Sequence, residues 1–440
     1  MSQEPAPEVQ GTPVTARNWQ DPPFNRWAFW HVSDILPTYP VPRGDAAPRP
    51  LPAAGSRRVR PDLLAVPVTR MDRSAGTVGE VLDDTYTDAY LVLQDGELVT
   101  EWYGSLGAPD RPHALMSVSK SVVGCVAAVL IDRGQLDPDA EVTSYVPELA
   151  GSGYAGALVR HVYDMRSGVR FLEEYANPDS DIRRLDEWVG GQEPAESGQG
   201  ESRGLYRFLA TLQAEAPHGE RFLYRSAESD VLGWVCERAG GRPMAELISE
   251  LIWAPMGAEH DAILLHDGLG TAVHDGGLCA TARDVARFGQ MLLDGGQVPD
   301  GIGGTRRVVP PQWLRRAWAV DADARSVFAA SPAEWAFPGG WYRHQFWFRP
   351  GDYGDVLLGL GIHGQMLHVS RRTNTVCVKF SSWPDAQDPA YLEDTLRAFD
   401  AVGGFLAGRD PGRRRLAGVV SGLSRSGDTM PPAPPRPTVV

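Results

Sequence analysis

Strand-forming sequence falls in two blocks at opposite ends of the body of this chain, with helical and loop sequence between them. The first block is Tyr90–Leu93 and Leu98–Tyr103 around Asp95-Gly96, a dipeptide that suits a tight hairpin turn. The second is the series His344–Arg349, Val356–Ile362, Gln365–Ser370 and Thr375–Ser382, with Arg371-Arg-Thr-Asn374 turning between the last two. Connections this short join antiparallel neighbours. One antiparallel sheet assembled from both ends, flanked by helices and carrying a helical insert, is the simplest solution, an α+β sandwich.

The helices that would cover this sheet are legible from apolar spacing. The run Val122–Ile131 extends a helix from about Ser117 to Arg133, with Gly134 placed to end it. Val285–Leu293, Pro311–Val320 and Leu392–Leu406 also carry helical spacing. The expected organisation is an N-terminal extension over 1–60 that packs partly on the body through the aromatic patch Trp19–Trp30. An α/β unit would follow over 61–150 and 276–408, with a helical subdomain at 151–275 inserted into it. A Pro/Arg-rich tail at 409–440, including Arg413–Arg415, has too little apolar sequence to bury a core and is expected to be disordered.

Composition narrows the partners. Lys and Arg number 42 against 56 Asp and Glu, a net charge of −14, which argues against nucleic acid or an anionic membrane as the main partner. The ten-residue apolar run is too short to span a bilayer. Met1–Pro7 lacks the basic-then-apolar pattern of a leader, so the expected location is cytoplasmic. Cys125, Cys236, Cys279 and Cys377 lie far apart in apolar contexts and read as buried free thiols, so neither a metal site nor a cofactor is expected. The expected partner is a small molecule, and a homodimer is compatible with the sequence.

Only Lys120 and Lys379 are lysines; every other basic residue is Arg. Arg carries charge and forked hydrogen bonds but does not give up its proton near neutral pH, so a retained Lys invites a chemical reason. Lys120 has one. Ser117-Val-Ser-Lys120 opens the apolar helix, and a spacing of three puts both side chains on one face. The helix N-terminus favours a developing alkoxide on Ser117, and together with burial it favours a neutral amine on Lys120, which could then act as a general base. Lys379, in the last strand, has no such account and reads as an exposed strand residue. A competing motif, Gly200-Glu-Ser202-Arg-Gly204, fits the nucleophile-elbow pattern but lacks the preceding strand and reads as a loop within the polar insertion Gly190–Gly204.

Tyr224-Arg-Ser226, just before a helical stretch, offers a phenol and a hydroxyl. Gly359-Leu-Gly-Ile-His-Gly-Gln365 offers a strand whose glycines leave the backbone open to close approach. In this order the motifs resemble the penicillin-recognising serine hydrolases: class C β-lactamases, D,D-peptidases and related esterases. Within that family the chain is similar to the 6-aminohexanoate-dimer (nylon-oligomer) hydrolases. The resemblance runs through Trp19–Phe29, Thr85–Ala89, Leu115–Ser121, Tyr145–Gly151, Gly361–Gln365 and Ser381–Asp385, from about residue 18 to 405.

The resemblance implies a β-lactamase/D,D-peptidase-like fold and an acyl-enzyme on Ser117, with Lys120 as base and Tyr224 relaying the proton to the leaving group. It implies an oxyanion hole from the N–H groups of Ser117 and Ile362. It further implies substrate contacts from Tyr175, Asp186, Asp275 and His363, with Tyr175 covering the bound amide and Asp186 pairing with an ammonium group. Asp275 stands where relatives carry a different polar residue. The Lys-Thr-Gly strand signature of β-lactamases is replaced by Gly359-Leu-Gly361, so a β-lactam carboxylate lacks its usual partner. The expected activity is cleavage of linear amides of the 6-aminohexanoate-oligomer type and of short-chain carboxylic esters. The rivals are an esterase with negligible amidase activity and a catalytically silent binding protein, whose mark would be a lost Ser, Lys or Tyr.

Overall fold

The computed structural model describes residues 8–9, 11–54, 62–190 and 203–409. The Ser202 motif, most of the 190–204 insertion and the tail beyond Arg409 lie outside the described residues.

The central sheet has seven strands: β1 (Thr87–Gln94), β2 (Glu97–Tyr103), β3 (Trp341–Arg343), β4 (Phe346–Gly351), β5 (Gly354–Gly361), β6 (Gln365–Ser370) and β7 (Thr375–Ser381). Their order is β3-β4-β5-β6-β7-β1-β2, antiparallel throughout. The chain's two strand blocks therefore meet at one seam, β7 against β1. All eight residues of β1 are buried, because the sheet is covered on both faces.

Alternation along the strands sends side chains to two layers. Leu91, Leu93, Val376 and Val378 face α1 (Val118–Asp132) and α4 (Ala282–Leu293), in a core shared with α3 (Ser226–Gly240) of the helical block. Tyr90, Val92 and Cys377 face the opposite way, onto the C-terminal helix α5 (Pro389–Arg409) through Phe399 and Val402. Helix α2 (Asp181–Val189) lies in the insert and buries Ile182 and Leu185. All four cysteines are free and buried. No helix among the described residues is long and apolar enough to cross a membrane.

Three expectations require correction. Strand β4 begins at Phe346, and His344 and Gln345 form the turn from β3 with φ of 57° and 66°. These are not turn-forming residue types; the conformation is held from outside, by His344 N–H on Asp164 Oδ1 at 2.7 Å and Gln345 Nε2 on the Val162 and Tyr163 carbonyls. Second, a four-stranded sheet joins Thr38–Val41, Ala262–Leu265, Leu278–Ala280 and His113–Ala114, so the 151–275 segment is not all helical. Third, Lys379 is not exposed. It points toward the α5 layer with 0% exposure, and its ammonium bonds the Thr85 carbonyl at 3.1 Å and Ser381 Oγ.

Candidate active site

The small sheet positions Ser117, the candidate nucleophile. Ala114 N–H bonds the Phe29 carbonyl and Leu115 N–H bonds the Leu278 carbonyl, so the loop before α1 is clamped on two sides. Met116, a non-glycine residue, is then bent into the left-handed region at φ 47°, and Ser117 follows as the N-cap of α1. Such strain costs about 1–3 kcal/mol and persists only where its surroundings impose it.

Beside this turn runs the end of β5. A Cβ on Gly361 would lie 2.6 Å from the Leu115 carbonyl oxygen and 3.0 Å from Met116 Cβ, so only glycine lets this strand come so close. Ile362 follows at once. Among the described residues, neither the Ser117 nor the Ile362 amide finds a backbone acceptor. Both residues line the same cleft, as an oxyanion hole requires.

Lys120 lies one turn into α1 and is 1% exposed. Its three protons have three acceptors: Ser117 Oγ at 2.8 Å, Ser226 Oγ at 3.1 Å and the Asp275 carbonyl at 2.8 Å. Its Nζ also lies 5.2 Å from the centre of the Tyr224 ring. The Tyr224 ring stacks on Trp347 with centroids 5.1 Å apart. Burial raises the Tyr224 pKa, against the pull of the Lys120 charge.

Burial alone favours the expected neutral Lys120 amine, and the groups around it act the other way. Burial is the largest single influence and lowers the Lys120 pKa, but Tyr224, Asp275, Glu173 and Asp230 together outweigh it and leave the pKa above the ordinary value. Lys120 is therefore an ammonium at rest. The carboxylates responsible come from separate elements, which is why the local reading missed them.

Two of these carboxylates had no role assigned from the sequence. Glu173 accepts the Ser226 N–H at 2.6 Å, the Ser226 hydroxyl at 2.8 Å and the Tyr175 hydroxyl at 3.0 Å. Asp230 is 0% exposed, and its Oδ1 accepts the His274 and Asp275 N–H groups, which fixes the carbonyl that Lys120 bonds. Burial raises the pKa of both acids. Asp230 stands four residues after Ser226 on α3, a same-face spacing that was readable in advance.

The cleft in front of Ser117 has a volume of about 360 Å³ and is lined by Tyr175, Asp186, Asp275 and Ile362, with Trp19, Gln20 and Asp21 of the N-terminal segment forming one wall. Asp275 Oδ2 lies 3.7 Å from Lys120 Nζ. Asp186 sits on α2, 3.5 Å from Arg183 with its side chain 38% exposed, and partial burial with the neighbouring acids raises its pKa against the pull of Arg183. His363 behaves differently from expectation. It is 4% exposed, is not on the cleft wall, and donates Nδ1–H to the Trp383 carbonyl at 2.8 Å. Burial lowers its pKa to about 4, so it is a neutral side chain that ties the end of β5 to the Trp383 carbonyl.

Comparisons with known proteins identify the family and the fold. The Beta-lactamase family model matches residues 77–399. A 6-aminohexanoate-dimer hydrolase of Paenarthrobacter ureafaciens is 39% identical over 398 residues, covering 88% of this chain and 95% of that protein. Esterase EstB of Burkholderia gladioli is 30% identical over 174 residues, 36% of this chain and 43% of its own length. Among solved structures, a candidate 6-aminohexanoate-dimer hydrolase from Bacillus anthracis superimposes with a TM-score of 0.79 at 25% identity, covering 91% of this chain and 98% of that one. A penicillin-binding protein homologue from Pyrococcus abyssi shares the fold, with a TM-score of 0.54 at 18% identity over 78% of this chain and 80% of its own.

Proposed function

The chain belongs to the beta-lactamase family, and on that premise we propose that it is a serine hydrolase cleaving linear amides of the 6-aminohexanoate-oligomer type, together with short-chain carboxylic esters, through an acyl-enzyme on Ser117. The observation that carries this reading is the contact of Lys120 Nζ with Ser117 Oγ, 2.8 Å, at the floor of an acidic cleft.

The cleft's charge suits an amine. A substrate ammonium placed against Asp186 and Asp275 offsets part of the negative field that holds the Lys120 proton. Burial then favours the neutral amine, which takes the Ser117 proton as Oγ attacks the carbonyl carbon. The Ser117 and Ile362 amides receive the developing oxyanion, an interaction worth about 3–4 kcal/mol per donor in comparable sites. Tyr224, whose ring lies 5.2 Å from Lys120 Nζ, passes a proton to the departing nitrogen or oxygen. Water repeats the sequence on the acyl-enzyme. Tyr175, held beside the cleft by Glu173, covers the bound amide. The family's Lys-Thr-Gly strand signature is absent, and the corresponding strand carries Gly359-Leu-Gly361, so anionic β-lactams are poor substrates.

A substrate panel tests the reading: a linear 6-aminohexanoate dimer, a p-nitrophenyl ester and a penicillin, with intact-mass detection of the acyl group. Turnover of the dimer and ester with acylation at Ser117 is expected. Full activity in Ser117→Ala would overturn it, and turnover of the ester alone would leave an esterase.

A further inference from the structure

Gln365, the last residue of the Gly359–Gln365 motif, is fully buried and does not line the cleft. A side-chain amide taken out of water brings two protons and an acceptor oxygen that must all be met. They are met around the turn that carries Ile362. Strands β5 and β6 pair as far as Gly361 with Gln365, so only Ile362, His363 and Gly364 connect them. His363 and Gly364 both take positive φ, 57° and 87°. A non-glycine residue in that region costs about 1–3 kcal/mol and stays there only where its surroundings impose it.

Gln365 is part of what imposes it. Its Nε2 donates to the Ser381 carbonyl at 2.7 Å and shares its other proton between the His363 and Ile362 carbonyls, at 3.3 and 3.4 Å. Its Oε1 accepts the Ser381 N–H at 3.2 Å. The backbone ladder between β6 and β7 ends at Met366 with Lys379, and beyond it this amide meets both polar groups of Ser381 as a facing peptide would. The turn is thereby tied to β7. From another side, His363 N–H bonds the Ala386 carbonyl at 2.8 Å and Trp383 N–H returns to the His363 carbonyl at 3.2 Å.

Ile362 is thus held before and after, by the paired Gly361 and by the Gln365 amide on its own carbonyl. We propose that Gln365 is a positioning residue for the oxyanion hole, fixing the Ile362 N–H where the oxyanion develops without touching the substrate. The proposal rests on the acyl-enzyme reading above. Donors fixed in advance stabilise the transition state because they need not reorient as charge forms. The arrangement requires glutamine itself. Glutamate keeps the shape and the acceptor but has no amide protons, and methionine keeps the length alone.

Gln365→Glu and Gln365→Met test the assignment, each checked for native circular dichroism, and either variant that folds suffices. With p-nitrophenyl butanoate, kcat and kcat/KM should fall together by about 10-fold, the mark of an interaction made in the transition state and part of the ~100–1000-fold that loss of a whole donor costs. Isotope-edited infrared spectra of the Ser117 butanoyl ester give a readout that a merely structural role would not move. In the wild type the ester carbonyl stretch should lie below that of the denatured acyl-enzyme, because two N–H groups polarise it. In the variants it should move back toward the denatured value. A folded variant with wild-type kcat and stretch overturns the proposal, and so does lost activity with an unmoved stretch. Intact mass of the wild type keeps the two readings apart: no butanoyl group on Ser117 refutes the hydrolase itself, whereas a butanoyl group with an unmoved stretch in the variants refutes the role of Gln365 alone.

Discussion

Replacing Lys379 by Met should stabilise the protein near neutral pH, and the gain should fade as the pH rises. Lys379 is fully buried in the β7 strand, and burial drives its pKa from 10.5 down to about 7. The unfolded chain binds the Lys379 proton up to about pH 10.5, the folded chain only up to about pH 7. Below pH 7 both states hold the proton and the folded state carries the whole cost of burying it. With a displacement of roughly 3.5 units at 1.36 kcal/mol each, that cost is about 5 kcal/mol. Between pH 7 and 10.5 the unfolded state binds more protons, so wild-type stability rises with pH by about 1.4 kcal/mol per unit from this group.

Methionine fills the space without a charge but removes two donated hydrogen bonds. The Thr85 carbonyl keeps a donor, Trp383 Nε1 at 2.9 Å, so Ser381 Oγ bears most of the loss, a penalty of about 1–3 kcal/mol. The net gain near pH 7 is then about 2–4 kcal/mol, shrinking by about 3 kcal/mol by pH 9.5. Urea denaturation of both proteins at several pH values measures the difference, in which every other titrating group cancels. A gap that does not change with pH would show that Lys379 titrates alike in both states and would refute the reasoning.

Other outcomes are open to direct measurement. Tyr224→Phe should cost amides at least ~100-fold in kcat/KM but activated p-nitrophenyl esters no more than ~10-fold, because only the amine leaving group needs the proton; equal losses would remove Tyr224 from the relay. Gly361→Ala should lower kcat by about 100-fold or more, since its Cβ would push the Ile362 amide away from Ser117, while circular dichroism retains the fold. For an amine-terminated substrate, KM should rise as the pH falls and the Asp186 carboxylate becomes protonated, at a pH above the ordinary carboxylate range, and Asp186→Asn should give a high KM with no such step. An unaltered profile in that variant would assign the titration to another group.

The sheet was largely legible because its strands alternate and its turns are spelled by local chemistry, as Asp95-Gly96 shows with φ of 54° and 78°. The turn at His344-Gln345 was not, because Asp164 and the Val162 and Tyr163 carbonyls impose it from a distant helix end. The Ser117–Lys120 pair was readable as one turn of one helix. The charge on Lys120 was not, since Glu173, Asp230 and Asp275 reach it from three other segments and their field exceeds the helix-end and burial effects visible locally. Lys379 shows the same limit from the other side. Alternation says that it faces opposite to Val378, but which face lies under α5 is decided by a helix that the strand's own residues do not encode.

The meeting of β7 with β1 also governs when the protein can become active. Lys379 and Thr85, joined across that seam, are 294 positions apart in the chain. A contact of such span must close a very long loop before it is rewarded, and topologies of this kind fold slowly. During synthesis the Ser117 helix leaves the ribosome long before Gly361 and Ile362 exist, with β1 still lacking its neighbour. Ser117 is therefore without the Gly361–Ile362 turn beside it until β5 to β7 arrive, so the proposed active site is complete only once those strands have formed. Until then β1 presents an apolar, unpaired edge, which makes this seam the point where slowed translation or C-terminal truncation favours aggregation over folding.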